Sequence, residues 1–176
     1  FRGPAADGVA QDAGAPTSWS EGETVSWRVD VPGEGWSAPI IVGERALLTT
    51  AVPVEGSDAY RFEVHCYALE SGELQWKQVA HEGKPREPRH RDNTFASETP
   101  VSDGQRVYAY FGMNALACYT LQGEPAWKKD LGAYPMDSDW GTASGPVVHA
   151  GKVFVQIDNE TVSHLVALSS SDGSTA

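Results

Sequence analysis

The sequence predicts an all-β chain folded as a β-propeller of four-stranded antiparallel blades, an incomplete ring of about three. Three observations carry that prediction. A glycine–tryptophan spacing recurs at a period near fifty residues, a proline–glycine–strand segment recurs between its copies, and most strands are apolar on both sides. Self-similarity at such a period marks a repeat architecture, in which each unit buries its faces only against its neighbours. "ESGELQW" holds Gly72 and Trp76, "LQGEPAW" holds Gly123 and Trp127, and in both the tryptophan follows the glycine by four. These copies lie 51 residues apart, and Gly173 in "LVALSSSDGSTA" follows Gly123 by 50.

The second element aligns "WSAPIIVGERALLTT", "ASETPVSDGQRVYAY" and "ASGPVVHAGKVFVQI". Pro39, Pro100 and Pro146 coincide, as do Gly43, Gly104 and Gly151. Each unit therefore supplies strands A to D with short glycine-centred A–B and C–D turns, as antiparallel hairpins require. Stretches such as "VYAYF" and "VFVQI" do not alternate cleanly, which is the pattern of sheets covered on both faces. Blade 1 is expected over 37–80, blade 2 over 97–131, and blade 3 over 143–176 without its outer strand. In blade 2 the strands are expected near 99–102, 107–111, 116–121 and 125–131.

Trp27, 49 residues before Trp76, extends the series. Residues 24–31 then read as a lone outer strand that closes a ring, after an N-terminal segment 1–23. Trp27, Trp76 and Trp127, with Gly72, Gly123 and Gly173, are read as structural residues, each ring buried between neighbouring blades with its N–H free to find a partner. Three blades do not close a ring, so the chain is expected to be a piece of a seven- or eight-bladed protein whose remaining blades are its first partners. Cys66 and Cys118 fall at equivalent positions, in "HCYALE" and "ACYTLQ", and are expected as buried thiols.

"YALESGELQW" resembles the pattern Ala-x-Asp-x-x-Thr-Gly-x-x-x-Trp of PQQ-type propeller repeats, with Glu70 in the place of the aspartate and a shortened turn in "YTLQGEPAW". Such repeats form quinoprotein alcohol dehydrogenases and the β-barrel assembly lipoprotein of outer membranes. The opening "FRGP", "VSWRVDVPGEGWSAPIIVGERALLTTA" and "RHRDNTFASETPVSDGQRVYAYFG" look closest to secreted PQQ-like proteins of planctomycete-type bacteria. The resemblance implies a tryptophan-docking motif and a periplasmic or secreted location. The chain begins at Phe1, and any signal peptide is expected to have been removed.

In an antiparallel A-B-C-D blade the D–A and B–C connections emerge on one face of the disc. From tryptophan to the next aligned proline, the D–A connections take 12, 24 and 19 residues, and the B–C connection around "VPVEGSDAYR" is also long. Long polar loops on a rigid scaffold are where binding is carried. The densest is "HEGKPREPRHRDNTFAS", with Arg86, Arg89, His90, Arg91, Asp92 and Asn93. Two readings apply to it: Arg89, His90 and Asn93 hold an anionic or carbohydrate ligand, or the arginines pair with loop carboxylates and pin the loop. Trp36 and Trp140, each just before an A strand, join the candidate ligand-binding residues.

Thirteen basic against 24 acidic residues, a net charge of −11, speaks against nucleic acid, whose binding needs clustered cations. No apolar run of 18 residues spans a membrane. "QIDNETVSH" offers Asp158, Asn159, Glu160 and His164 at no recognised metal spacing, so no metal ligand is assigned. No catalytic residue is assigned either: Asp137 and Asp139 lack identifiable partners for a hydrolase. The favoured function is a non-catalytic scaffold or binding module for a protein or polysaccharide, with no cofactor. The alternative implied by the resemblance is a PQQ-dependent dehydrogenase of alcohols or sugars, with PQQ and calcium. That family site uses an adjacent cysteine pair, which this sequence lacks.

Overall fold

The computed structural model describes residues 8–9, 14, 16–134 and 136–176. Eleven strands form three antiparallel sheets in chain order. The first sheet is β1 (Ile40–Val42), β2 (Arg45–Pro53), β3 (Tyr60–Ala68) and β4 (Leu74–Gly83). The second is β5 (Val101–Ser102), β6 (Arg106–Tyr110), β7 (Leu116–Thr120) and β8 (Pro125–Lys129). The third holds β9 (Val147–His149), β10 (Lys152–Ile157) and β11 (His164–Ser169). These are three propeller blades, and the described residues close no ring. A 3-10 turn at Asp137–Asp139 is the one helical element described, and no helix there is long and apolar enough to cross a membrane.

The apolar periodicity is explained by which faces meet. Phe62, Val64 and Cys66 of β3 join one buried cluster with Val107, Ala109, Phe111, Ala117 and Tyr119 of the second blade. Phe62 and Phe111 meet edge to face at 5.7 Å, the geometry that aromatic quadrupoles favour. The opposite side of the second blade packs Tyr108, Tyr110, Leu116 and Cys118 against Val153, Val155, Ile157 and Leu168 of the third. The middle blade is thus covered twice, and four residues in succession are buried in both β6 and β7. In β10 the alternation returns: Val153, Val155 and Ile157 are buried while Lys152 and Gln156 are exposed.

Three equivalent contacts join successive units. The indole of Trp27 lies over Gly72, that of Trp76 over Gly123, and that of Trp127 over Gly173, so close that an added Cβ would fall within 2.6 to 2.7 Å of the ring. Each indole N–H donates to a carbonyl of the same turn: Trp27 to Leu69 at 2.8 Å, Trp76 to Leu121 at 3.1 Å and Trp127 to Ser170 at 3.1 Å. The polar handle of each half-buried indole is thereby satisfied while the ring covers the glycine turn. The C–D pairing places Cys66 opposite Trp76 and Cys118 opposite Trp127. Both cysteines are free and buried, and burial pushes their thiols up to about 11 and about 12.

Some boundaries differ from expectation. Residues 24–31 carry no strand ladder; the bridges nearby are Glu21 with Val25 and Glu34 with Ala51. An outer strand is defined by a C strand beside it, and none of the described residues fills that place for Trp27. Its indole contact, made with the following blade, forms regardless. Strand β4 runs to Gly83, so the long loop expected from residue 81 begins after it. In the third blade the turn around Gly173 is closed by Ser169 N–H to Ser174 O at 2.8 Å, and Leu168 bridges Thr175. "FRGP" and much of segment 1–23 lie outside the described residues.

Gly123 and Gly104 share a φ of 88°, but a Cβ at Gly123 meets Trp76 at 2.7 Å whereas at Gly104 nothing lies within 4 Å. In the full-length protein Gly104→Ala should lose about 1–2 kcal/mol from backbone strain alone. Gly123→Ala should lose roughly 2 kcal/mol more, because the indole must also move. Urea midpoints compare them, and equal losses would remove the tryptophan contact from the account.

Candidate functional site

The D–A connections before β5 and β9, with the segment before β1, come together and bring the five candidate ligand residues into one neighbourhood. Trp36 is held through its backbone N–H, which donates to Ala96 O at 3.1 Å, as does that of Ser37. Trp140 is held through its carbonyl, which accepts from Asn93 Nδ2 at 2.8 Å and from the His90 N–H at 3.4 Å. Gly141, at φ 75°, lets this stretch close on the neighbouring loop: a Cβ there would lie 3.1 Å from Asn93 Nδ2. Just before it, Ser138 and Asp139 also adopt left-handed φ of 64° and 52°. The side chain of Asp137 lies outside the described residues.

The basic loop is pinned by its own charges. Arg86 makes a bidentate pair with Asp130, both contacts 2.7 Å, and this hydrogen bonding holds the Asp130 carboxyl down at about 2. Arg89 pairs with Glu34 at 2.9 Å, donates to the carbonyl of Asn93 and lies 5.0 Å above the Phe95 ring. Arg91 approaches Asp92 at 3.7 Å. Asn93 is committed too: its amide donates to Trp140 O and Thr142 O, while its oxygen accepts from Thr94 N–H and Ser97 Oγ. Of the two readings of this loop, the contacts are those of the pinned one. No arginine of Arg86, Arg89 and Arg91 lacks an acidic partner.

Two aromatic rings stand exposed beside the pinned loop. Trp36 is 63% and Trp140 59% accessible. Both border one open cleft of about 430 Å³, with Asp92, Asn93 and Ser97 from the pinned loop and Gly141 and Ala143 beyond Trp140. His90 stacks on Trp140 with ring centroids 4.6 Å apart. The arrangement offers two exposed indoles on tethered backbone with the exposed Asp92 carboxylate beside them.

Residues 60–176 match the PQQ_2 family model, described as outer membrane protein assembly factor BamB. The chain belongs to this family. Solved structures with the same fold include a quinohemoprotein alcohol dehydrogenase from Pseudomonas putida HK5, at 19% identity and a TM-score of 0.58 over 85% of this chain and 21% of that one. BamB from Moraxella catarrhalis gives 15% identity and a TM-score of 0.52 over 85% and 40%. The quinohemoprotein alcohol dehydrogenase from Comamonas testosteroni gives 13% and 0.56 over 82% and 20%. The chain therefore spans two fifths of the BamB structure's length and about one fifth of the two dehydrogenases'. No curated protein matches it.

Two polar groups of this PQQ_2 member were missed by sequence reasoning. Glu98 is 1% exposed beneath the loops, and its Oε1 has no hydrogen-bond partner. It stands two residues before Pro100, where the other repeats have Ser37 before Pro39 and Ser144 before Pro146. Burial pushes its carboxyl up to about 7, partly countered by hydrogen bonding from Thr142 and nearby backbone. The second is a ladder on one face of β3: Glu63 Oε2 lies 2.7 Å from His65 Nε2, and His65 Nδ1 lies 3.0 Å from Tyr67 Oη. Arg61 reaches the other Glu63 oxygen at 3.0 Å. The alternation in "RFEVHCY" carried that signal, because every second residue is polar or hydroxylated.

Within "QIDNETVSH", residues 158–163 between β10 and β11 form a loop closed on itself. Asn159 Oδ1 accepts from the N–H groups of Thr161 and Val162, each at 2.9 Å. Among the described residues no group of three or more His, Cys, Asp or Glu is placed to hold a metal ion.

Because the Glu98 pKa is raised, the folded chain keeps a proton that the unfolded chain releases above its ordinary value of 4.5. Its contribution is complete below that value and is lost as the pH rises through about 7. Glu98→Gln should therefore flatten the fall in melting temperature between pH 5 and pH 8 and stabilise at pH 8 by on the order of 1–3 kcal/mol. An unchanged pH profile would show that the carboxylate finds solvent.

Proposed function

We propose that the chain is a non-catalytic binding module of an extracytoplasmic bacterial protein, taking a protein or polysaccharide ligand on the face of its long D–A loops. The observation that supports this is the pair of exposed indoles, Trp36 and Trp140, whose backbones are both tied to loop 90–97. Exposed aromatics held by a polar network have already lost their loop entropy, so little is left to lose on binding. Membership of a family described as outer membrane protein assembly factor BamB supports a protein partner and a location outside the cytoplasm. The planctomycete-type resemblance supports a secreted form.

The dehydrogenase alternative draws on the quinohemoprotein likeness, which at 19% identity is one of fold. What supports the cofactor-free reading is the chemistry of this chain's own residues. The two cysteines lie buried on strands of adjacent blades as free thiols, and no acidic cluster is placed for a metal. Turnover of alcohols or sugars by the full-length protein supplied with PQQ and calcium ions would reverse that judgement.

Oxidation of tryptophan by N-bromosuccinimide, mapped by peptide mass, tests the binding reading. Adding a cell-envelope extract should slow oxidation of Trp36 and Trp140 at least severalfold and leave the exposed Trp19 unchanged. Equal rates at all three with and without extract would end the proposal.

A further inference from the structure

We infer that the Trp36–Trp140 cleft takes a neutral polysaccharide chain, with a sugar unit stacked on each indole; this rests on the binding reading above. The electrostatics narrow the ligand first. The three arginines of this loop each face a carboxylate, Arg86 with Asp130, Arg89 with Glu34 and Arg91 with Asp92 at 3.7 Å, and the chain carries a net charge of −11. An anionic ligand would have to break those pairs and approach a negative surface. The acidic group exposed at the cleft is the Asp92 carboxylate, whose side chain is 68% exposed, with His90 at 3.5 Å and Arg91 at 3.7 Å. An ionised carboxylate only accepts hydrogen bonds, so the ligand must bring donors without bringing negative charge. Sugar hydroxyls do that.

The indoles select the rest of the ligand. A pyranose presents a flat face of C–H groups, slightly positive, which suits the negative face of an indole. His90 packed behind Trp140 at 4.6 Å keeps that ring in one orientation. The cleft is open rather than enclosed, and its remaining lining, Asn93, Ser97, Gly141 and Ala143, is small or polar. An open passage suits a chain running past both rings. A protein partner would require a continuous apolar patch able to exclude water around its anchors. Here two isolated rings stand among polar and small groups. Asn93, bonded both to its own loop and to Trp140 O and Thr142 O, and Ser97, bonded within the loop, set the spacing of the rings rather than touching the ligand.

Native affinity electrophoresis of the full-length protein tests this, with hydroxyethyl cellulose, a β-1,3-glucan, galactomannan and xylan as neutral polysaccharides and alginate as the anionic one. At least one neutral polysaccharide should retard the protein, and alginate should not. Trp36→Ala and Trp140→Ala should each weaken retardation by roughly five- to tenfold, one lost stacking contact apiece. Asp92→Asn should weaken it less. Both tryptophans are exposed, and unchanged urea midpoints would verify that the variants fold. The same neutral polysaccharide should also protect Trp36 and Trp140 of the unmutated protein from N-bromosuccinimide, which needs no variant. No retardation by any neutral polysaccharide, retardation that survives the double variant, or stronger retardation by alginate would each overturn the inference. If the envelope extract protects the indoles and no polysaccharide does, the ligand is a protein and only this inference fails. If nothing protects them, both readings fall.

Discussion

The packing of one indole on one glycine, repeated from unit to unit, is the constraint on which the rest of this structure depends. A tryptophan ring is large enough to cover the end of the next blade only if that blade offers a position with no Cβ. Gly72, Gly123 and Gly173 supply it, at turns whose left-handed φ a side chain would in any case oppose. The indole N–H then finds a carbonyl of the same turn, so the contact is directional as well as apolar. Because glycine and tryptophan keep a four-residue offset, the first two blades each receive a ring and present one, and the third receives the ring of Trp127. The sheets are thereby set face to face at a constant spacing, and the cores between them follow: Phe62 against Phe111, and the Tyr108 side of the middle blade against Val153 and Val155.

That stacking also brings together loops far apart in sequence. Fixing consecutive blades side by side places the connection before β5 next to the one before β9. Their hydrogen bonds cross 47 to 49 residues of sequence, from Asn93 to Trp140 and Thr142. The many charges of the loop are used within the protein. Each arginine closes a contact, Arg89 binding Glu34 and lying over Phe95, and what the loop offers outward is the shape it imposes on two tryptophans.

Departures from the repeat stand out against this regularity. Glu98 fills a serine position with a carboxyl that is buried and lacks one of its partners. Such a group is costly in a low-dielectric interior unless it stays protonated. Counting back from Cys66 and Cys118, Glu63 and His65 occupy the places of Ala115 and Ala117. The blade 2 alanines are buried, Ala117 within the core shared with blade 1, whereas Glu63, His65 and Tyr67 bond to one another along their strand. A fully hydrogen-bonded ladder tolerates burial, and a half-satisfied one does not.

Much of the architecture was legible without coordinates, because it is written in short-range spacings. Glycine four residues before tryptophan, proline before an A strand and glycine in a tight turn each express a local backbone requirement, and their recurrence near fifty residues names the repeat. The same reasoning assigned Trp27 to the series and read residues 24–31 as a lone strand; they form no ladder with the described residues, since a strand depends on a neighbour as well as on its own residues. The five candidate residues were likewise found by composition and loop length. Their division into Arg89 and Asn93 that hold loops together, His90 that packs on Trp140, and Trp36 and Trp140 that face outward, was decided by tertiary structure alone. Whether an arginine is free depends on which carboxylate stands within hydrogen-bond reach, and Glu34 is 55 residues away along the chain. Local rules determined the blades; long-range pairing of charge determined what their loops leave exposed.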